Sequence, residues 1–455
     1  MNTLCIRLGL VVAVALELCV AALAQLPHGG WLVGGDMGYV TYWTPGFALS
    51  DRLSTLYGSG VSGGGAYAVD GRRVVFMTDG NSFYRVTYDP HLTPGARLVI
   101  HPPGIFHPMG SAGVVTTARG LLSLDAFGNL SSIDTAVVGT PTLLGSVWAG
   151  SVANGYVFST CSDGRELFFA VGLADGIAGH VALANTQVWA VDLESPSFSR
   201  RLLATIPVDM FTTLAMGPDG DVLAMRYDGL FRISPVTGAL SNLGPKPPGP
   251  DFVVTPGYAF GLIFMGYDPW TDTIAVGPRW LSNVLHLEAR GLVAPTAWAL
   301  AAYLPFFATL KKLASASEAP FLSFGRGCPT SLGAEPRLGH HGLPLQGATF
   351  DLTIRNAEPN GFGVFWVGQS DAVWPGLGLL PLDAAPLGAP GCILWASADY
   401  SIVALTDALG HAATTLTVPQ APTLHGLEVF AQAACTSGGN ALGWAASDAL
   451  AIRIR

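Results

Sequence analysis

Short segments of alternating apolar and polar residues, separated by tight-turn dipeptides, recur along the first two thirds of the chain. The clearest unit runs from Met216 to about Gly244 and contains two turns, Asp219-Gly220 and Asp228-Gly229. Asp-Gly favours the positive φ of tight turns, so the unit predicts short strands separated by those turns. Related spacings recur in the segments 70–86, 109–124, 154–164 and 265–276. Units of about 40–65 residues with four short strands each are typical of β-propeller blades.

The two ends of this region each resemble part of one unit. Residues 38–46 align with the second half of the clearest unit, and residues 304–314 align with its opening. A blade built from both ends of the chain removes two exposed sheet edges, so we expect a split closing blade. Five whole units and one split unit predict a six-bladed β-propeller over residues 25–318. If the insertion near residues 165–188 hides further strands, the propeller is seven-bladed.

The blade pattern stops near Phe321, and a different arrangement of strands follows. Turns rich in Pro, Gly and Asp separate these segments, which predicts a small antiparallel β-sandwich over residues 319–455. The expected fold class is therefore all-β. The predicted strands of this region are Thr349–Ile354, Val364–Val367, Ile393–Ala396, Ile402–Leu405, Thr414–Val418, Leu427–Ala431 and Ala449–Ile454.

A set of short motifs runs through the last third in a fixed order. The motifs are Phe324-Gly-Arg-Gly-Cys-Pro-Thr, Pro381-Leu-Asp, Gly388-Ala-Pro-Gly-Cys, Thr406-Asp-Ala-Leu-Gly and Phe430-Ala-Gln. Residues 321–455 thereby resemble the C-terminal domain shared by many large secreted proteins of planctomycete bacteria, and residues 30–318 resemble a generic β-propeller. That planctomycete family has no assigned activity. The resemblance implies export and a surface location rather than a chemistry.

The N-terminus has the pattern of a secretory leader. Arg7 precedes an apolar run, and the small residues Ala22 and Ala24 stand just before Gln25. This pattern predicts a cleaved signal peptide over residues 1–24 and an extracellular or cell-surface protein. Glu17 interrupts the apolar run, which leaves an uncleaved anchor as the alternative.

Cysteine usage agrees with export. Cys5 and Cys19 fall in the leader, and the four remaining cysteines contain no Cys-x-x-Cys pair, which excludes a zinc ribbon or a thioredoxin-type motif. An oxidising compartment favours a disulfide, and we take Cys328 with Cys392 as the preferred pair. Four cysteines allow three full pairings, so the partners of Cys161 and Cys435 stay open.

Composition narrows the function classes. Of 455 residues, 50% are hydrophobic and only 12% are charged, which excludes a disordered chain. The net charge of −9 argues against nucleic-acid binding. The uncharged stretch 291–310 is long enough for a membrane span, but it contains Pro295 and Pro305 and its pattern indicates strands. We therefore expect no transmembrane span in the mature chain.

Local motifs for catalysis are weak. Residues 58–63 match Gly-x-Gly-x-x-Gly, and Ser62 fits the Gly-x-Ser-x-Gly nucleophile pattern, but the following residues 66–69 indicate a strand where both motifs need a helix. An inter-blade loop is the preferred interpretation. His340 and His341 could bind a metal, or they could lie in a solvated loop. The tryptophans could form a platform for sugars, or they could pack between blades.

One set of residues could form a site because of its place in the repeat. Just before the third strand of each unit the sequence offers Asp36, Asp79, Arg119, Asp163, Asp228 and Arg279. On one mouth of a propeller channel, four carboxylates and two guanidinium groups would suit calcium or a polar ligand. The alternative is turn chemistry, because Asp-Gly is what a tight turn selects.

The functional hypothesis is an exported, non-enzymatic binding or cell-surface protein, whose partner is a polysaccharide or another surface protein. Its basis is that the sequence contains no convergent catalytic motif. The alternative is a propeller enzyme, such as a metal-dependent lactonase or a polysaccharide-acting lyase.

Overall fold

The structure, a computed structural model, is all-β with two short 3₁₀ turns, Ala385–Leu387 and Pro422–Leu424, in the part of the chain that it describes. The described residues are 31–35, 40–43, 49–53, 67–69, 75–78, 82–88, 92–93, 98–106, 111–117, 120–133, 141–150, 155–172, 185–207, 213–225, 229–245, 264–281, 284–292, 297–304, 310–315 and 319–455.

Up to Ser315 the described strands form six four-stranded antiparallel sheets. In spatial order, sheet 1 is β24 (Leu310–Ser315), β1 (Trp31–Gly35), β2 (Val40–Trp43) and β3 (Leu49–Leu53). Sheet 2 is β4 (Tyr67–Val69), β5 (Val75–Thr78), β6 (Ser82–Tyr88) and β7 (Leu98–Phe106). Sheet 3 is β8 (Ser111–Thr117), β9 (Gly120–Asp125), β10 (Asn129–Ile133) and β11 (Thr142–Ser146).

The next three sheets follow the same order. Sheet 4 is β12 (Tyr156–Ser162), β13 (Glu166–Gly172), β14 (Asn185–Asp192) and β15 (Arg200–Pro207). Sheet 5 is β16 (Thr213–Met216), β17 (Val222–Met225), β18 (Gly229–Ile233) and β19 (Leu240–Pro245). Sheet 6 is β20 (Phe264–Asp268), β21 (Thr273–Leu281), β22 (Val284–Gly291) and β23 (Ala299–Leu304). Together these sheets are called the six-sheet region below.

Sheet 1 combines strands from both ends of this region. β24 pairs antiparallel with β1, with Trp31 opposite Ser315 and Val33 opposite Leu313. The first strand of each sheet contacts the first strands of its neighbours, in the order β4, β8, β12, β16, β20, β24 and back to β4. Two segments were aligned to one unit from sequence, and each contributes a strand to this sheet: β2 from the first and β24 from the second, with β1 between them.

Neighbouring sheets pack face to face, and this explains the nearly continuous apolar runs of their middle strands. Every residue of β13 and of β17 is buried, whereas the outer strands β11 and β19 are mostly exposed. One apolar core joins sheets 3 and 4, a second joins sheets 4 and 5, and a third joins sheets 5 and 6. A strand covered on both faces needs apolar residues at every position rather than at alternate ones.

β13, the second strand of sheet 4, lies within the insertion noted near residues 165–188, and residues 173–184 fall outside the described residues.

The C-terminal region, residues 319–455, contains two larger sheets. One has the order β25 (Phe321–Phe324), β36 (Trp444–Arg453), β35 (Glu428–Thr436), β28 (Phe362–Gly368) and β33 (Tyr400–Leu405). The other has the order β26 (Arg337–His341), β27 (Thr349–Arg355) and β34 (Ala412–Thr417). Two small hairpins pair β29 (Val373–Trp374) with β30 (Gly378–Leu379), and β31 (Leu382–Asp383) with β32 (Ile393–Leu394).

Both larger sheets contribute to one apolar core. Leu352 and Ile354 of β27 pack in it together with Phe365 of β28 and Leu450 of β36. Each of the seven strand segments predicted from sequence in this region overlaps an observed strand. β25, β26 and the hairpin strands β29, β30 and β31 were not predicted.

The structure contains a disulfide between Cys328 and Cys392, the pair preferred from sequence. It joins the segment after β25 to the start of β32. Cys161 and Cys435 are both buried.

Among the described residues, no helix is long and apolar enough to cross a membrane. The uncharged stretch 291–310 contains β23.

Candidate functional site at the junction of the two regions

The C-terminal region docks on the turns that join the first and second strands of sheets 4 and 5. The backbone N–H of Ser323 in β25 donates to the carbonyl oxygen of Asp163 at 2.9 Å. Gly164 follows at φ +105°, and a Cβ there would lie 2.6 Å from the Ser323 carbonyl oxygen. His341 of β26 bonds Asp219 of the next turn, with 2.8 Å between Nδ1 and Oδ1. The glycine therefore lets β25 approach the turn backbone closely.

Asp163 itself is a turn residue. Its Oδ1 accepts hydrogen bonds from the backbone N–H groups of Arg165, at 2.9 Å, and Glu166, at 2.7 Å. Burial, and next the charge of Glu166, raises the pKa of the Asp163 carboxyl from 3.8 to about 6. For this residue the geometry is that of turn chemistry, the alternative considered from sequence.

Arg165 inserts from this turn into the C-terminal region, where its side chain is 1% exposed. Its guanidinium lies 3.1 Å from Asp448 Oδ2 and 2.9 Å from Glu335 Oε2, and 3.8 Å from Asp192 Oδ2 of its own sheet. Arg326 also binds Glu335, at 2.9 Å. A buried cation needs such carboxylates, because a lone charge in an apolar interior is strongly unfavourable.

A second arginine extends this cluster from β26. Arg337 Nη1 lies 3.2 Å from Asp448 Oδ2, and its Nη2 lies 3.7 Å from Glu166 Oε1. Arg201 of β15 binds both oxygens of Glu166, at 2.9 and 3.1 Å. The junction network is defined as Arg165, Glu166, Asp192, Arg201, Arg326, Glu335, Arg337 and Asp448.

Beside the junction network lies a cavity of about 520 Å³, called the junction cavity below. One wall comes from the first strands β8, β12, β16 and β20, and the other from residues 319–323, β26, the end of β27 and β36. The volume lies in the range of about 300–1,000 Å³ that is usual for small-molecule sites.

Charged side chains of both signs line the junction cavity. The acidic ones are Asp163, Glu166, Asp219, Glu428 and Asp448, and the basic ones are Arg201, Arg337, Arg355 and Arg453. Each of the five carboxylates has a hydrogen-bond partner in the protein. Asp163 is bound by backbone N–H groups, Glu166 by Arg201 and Asp219 by His341. Glu428 is bound by Arg453, and Asp448 by both Arg165 and Arg337. Arg355 differs from the other three arginines, because among the described residues it has no ion-pair or hydrogen-bond partner and its Nε is buried.

His340 is a second lining residue with an unused polar atom. Its ring stacks on Phe321, with ring centroids 3.6 Å apart, and its Nδ1 is buried with no hydrogen-bond partner among the described residues. Burial, and next the charges of His341 and Arg355, lowers the pKa of His340 to about 3, so the imidazole is neutral.

Of the six residues grouped from sequence, Asp163 lies between β12 and β13, a first and a second strand, and the backbone of Arg279 lies near the end of β21. Asp36, Asp79, Arg119 and Asp228 fall outside the described residues, as does the side chain of Arg279, so the grouping stays a prediction.

The structure also corrects the solvated-loop interpretation of the two histidines, because they lie in β26. Adjacent strand residues point to opposite faces, so His340 packs on Phe321 while His341 reaches Asp219. No group of three or more metal-binding side chains occurs within the described ranges. Residues 58–63, including Ser62, lie outside them.

For two of the tryptophans the structure favours packing between sheets. Trp148 and Trp189 contact each other, with ring centroids 5.4 Å apart, against the core shared by sheets 3 and 4. Arg200 covers both rings, at 5.2 and 5.5 Å from their centroids.

Sequence reasoning missed the charged residues of the junction. Asp448 did carry a signal, since it is an acidic residue inside the apolar strand β36 and therefore predicts a buried partner. Arg355 ends an ordinary alternating strand, and no local pattern distinguishes it.

No known family and no curated protein sequence matches the chain. Solved structures similar to it include a functionally unknown protein from Desulfotomaculum acetoxidans, at 12% identity and TM-score 0.37, covering 60% of this chain and 98% of that one. The Dos1 propeller is similar at 11% identity and TM-score 0.34, covering 61% and 68%. Streptogramin B lyase is similar at 9% identity and TM-score 0.33, covering 55% and 71%. The similar structures thus include β-propeller proteins.

Proposed function

We propose that this chain is an exported, non-enzymatic binding protein whose small-molecule ligand occupies the junction cavity. In this proposal the six-sheet region is a six-bladed propeller with a split closing blade, and the C-terminal region is a β-sandwich that covers one mouth of its channel. Support for the ring comes from the cyclic order in which the first strands contact one another, and from the pairing of β24 with β1. Support for the sandwich comes from the single core that its two sheets share.

Export is supported by the leader-like residues 1–24 and by the Cys328–Cys392 disulfide, which persists in oxidising compartments. The motif order of the last third, which resembles that of secreted planctomycete proteins, is the basis for proposing a cell-surface location. Expression with the complete leader is expected to yield a secreted chain that begins at Gln25, measured by intact mass. A secreted or membrane-bound chain that retains residues 1–24 would instead support the uncleaved anchor.

The observation that carries the binding proposal is the Arg355 guanidinium at the junction cavity, which has no ion-pair or hydrogen-bond partner among the described residues. Arg355 lines the cavity, and its Nε is buried. Burying a polar group without a partner costs about 1–3 kcal/mol, and a ligand that pairs with the guanidinium would reduce that cost. The carboxylates of the cavity already have partners, so the arrangement suits binding better than proton transfer.

The test is a thermal-shift screen of organic acids, sugars, lactones, soluble polysaccharides and Ca²⁺, which include the partners expected from sequence. Val236 is an exposed residue at the cavity, and Leu240, nearby on β19, is exposed but does not line it. A binding compound is expected to raise the Tm of the wild type and of Leu240→Trp, but not of Val236→Trp, where the larger ring obstructs the cavity.

Two results would overturn this proposal. One is a screen in which no compound raises the Tm, or in which Val236→Trp responds like the wild type. The other is chemical conversion of a bound compound, followed by NMR, which would favour the propeller enzyme.

A further inference from the structure

Arg337 and Arg355 stand directly opposite each other on neighbouring strands β26 and β27. Directly opposed residues of an antiparallel pair project from the same face, with Cβ atoms about 5 Å apart. That face meets the six-sheet region, because Arg337 lies 3.7 Å from Glu166 of β13. The two arginines therefore occupy the same junction, where one is bound to Asp448 and the other has no counter-ion among the described residues.

Three acidic groups around the junction cavity already have partners of their own. Asp221 is close enough for the charge of Arg355 to act on its pKa, but its carboxylate lies 3.3 Å from Arg232 Nε. Asp219 is held by His341, and Glu428 by Arg453 at 3.2 Å. The described protein groups thus leave one positive charge at the junction cavity to be neutralised by something else.

We infer that the junction cavity binds a small organic monocarboxylate, whose carboxylate pairs with the Arg355 guanidinium and whose apolar body lies against the cavity walls. This inference rests on the proposed function and specifies its ligand. The planar fork of a guanidinium matches the two oxygens of a carboxylate, which makes such pairs strong and directional.

The walls and the surrounding charges restrict the rest of the ligand. Met216, Val236, Met265, Phe321 and Leu322 line the cavity and favour an apolar body. The neighbouring carboxylates disfavour a second negative charge, so a phosphate monoester or a dicarboxylate fits less well than a monoanion.

The experiment is titration calorimetry of the full mature chain with four acids: hexanoate, octanoate, benzoate and 3-phenylpropionate. Each acid is compared with its uncharged carboxamide, which has nearly the same shape. The wild type is expected to bind at least one acid about 10- to 100-fold more tightly than its amide, as for a charge-assisted bidentate pair. In Arg355→Gln that ratio is expected to fall to about 1, and in Arg355→Lys to an intermediate value.

Arg200→Gln is the matched control, since it removes the same charge from an arginine outside the cavity, and it should keep the wild-type ratio. Equal binding of acid and amide by the wild type would overturn the inference, as would a ratio unchanged in Arg355→Gln, or no binding of any of the four acids. If neutral compounds then still bind in a manner that Val236→Trp abolishes, the proposed function stands and only the ligand class fails. Thermal unfolding of each variant verifies that it is folded.

Discussion

The junction between the six-sheet region and the C-terminal region has two sides, which differ in how their arginines are paired. Around Arg165 and Arg337, two carboxylates, Glu335 and Asp448, approach two guanidinium groups within 3.2 Å, and the closest pairs are enclosed by protein. Around Arg355, on the strand beside Arg337, there is a cavity and no counter-ion among the described groups. In the first arrangement each guanidinium group has a carboxylate partner. The second is complementary to an anion that the described part of the chain does not supply.

The contrast shows that the charge a cavity can bind depends on which of its lining groups are already paired, rather than on how many acidic and basic groups line it. The junction cavity is lined by five carboxylates and four guanidinium groups, which would suggest a mildly acidic site. All five carboxylates already have partners, so the lining group without a partner among the described residues is the Arg355 cation. The following substitutions test whether the paired side is structural and the unpaired side is a binding site.

Removal of Arg165 should have the largest effect. Arg165→Ala leaves Asp448, Glu335 and Asp192 without their shared cation, which typically costs about 3–5 kcal/mol in a buried setting. Scanning calorimetry should then show the C-terminal region unfolding separately and at a lower temperature. Arg201→Ala is the control, because Arg201 is 42% exposed and its loss should cost about 1 kcal/mol or less. Similar calorimetric traces for the two variants would mean that the network does not hold the regions together.

The Cys328–Cys392 disulfide allows a second test of the junction network, made within the C-terminal region. It anchors Cys328, in the segment that carries Arg326, Glu335 and Arg337 into the network. Bridging a sequence separation of 64 residues adds roughly 4 kcal/mol in the chain-entropy model.

Replacing both cysteines by Ala should lower the Tm of the C-terminal region and increase proteolysis after Arg326. Cys435→Ala, which removes a buried free thiol, is the matched control and should leave that cleavage site protected. Thiol labelling of the unfolded, unreduced wild type provides the direct check, and labelled Cys328 and Cys392 would contradict the bridge.

Arg337 and Arg355 provide the sharpest test, because the two residues are neighbours of the same type. Arg337→Gln removes a charge-assisted partner of Asp448 and should destabilise the protein by about 1.5–3 kcal/mol. Arg355→Gln removes a charge with no partner among the described groups, and without ligand it should change stability by less than about 0.5 kcal/mol. Denaturant unfolding at pH 7 measures both. Equal losses would show that Arg355 has a structural partner.

The alternation and the turns allowed the strands to be predicted, whereas the strand register was harder. β18 begins at Gly229, as the Asp228-Gly229 dipeptide predicts, whereas Asp163-Gly164, which was aligned with that dipeptide, joins a first strand to a second one. Both connections use the same Asp-Gly chemistry, so residue type cannot distinguish them. Only the pairing of β12 with β13 resolves which connection it is.

The candidate site was beyond sequence reasoning for a different reason. The role of Arg165 depends on Asp448, 283 positions further along the chain, and that of Arg355 depends on which groups around it are already bound. A local pattern records neither relation. The lone acid in β36 was the one signal available, and it indicates a buried partner without identifying it.

The smallest expected effect concerns Asp163, which lines the cavity and lies beside the paired side. Its pKa is raised from 3.8 to about 6, by burial first and then by Glu166, so the folded protein binds this proton more tightly than the unfolded chain does. The charged carboxylate therefore opposes folding above about pH 6, and this penalty fades as the pH falls towards 4. Asp163→Asn carries no charge and keeps an oxygen that can accept the turn hydrogen bonds. The stability of the variant relative to the wild type should consequently rise between pH 4 and pH 7, measured by denaturant unfolding at several pH values.

Asp219→Asn is the control, since Asp219 is paired with the imidazole of His341 and its replacement should lower stability instead. A relative stability of Asp163→Asn that falls with increasing pH would mean that the carboxylate is stabilised by Arg337, and that the paired side extends to the cavity wall.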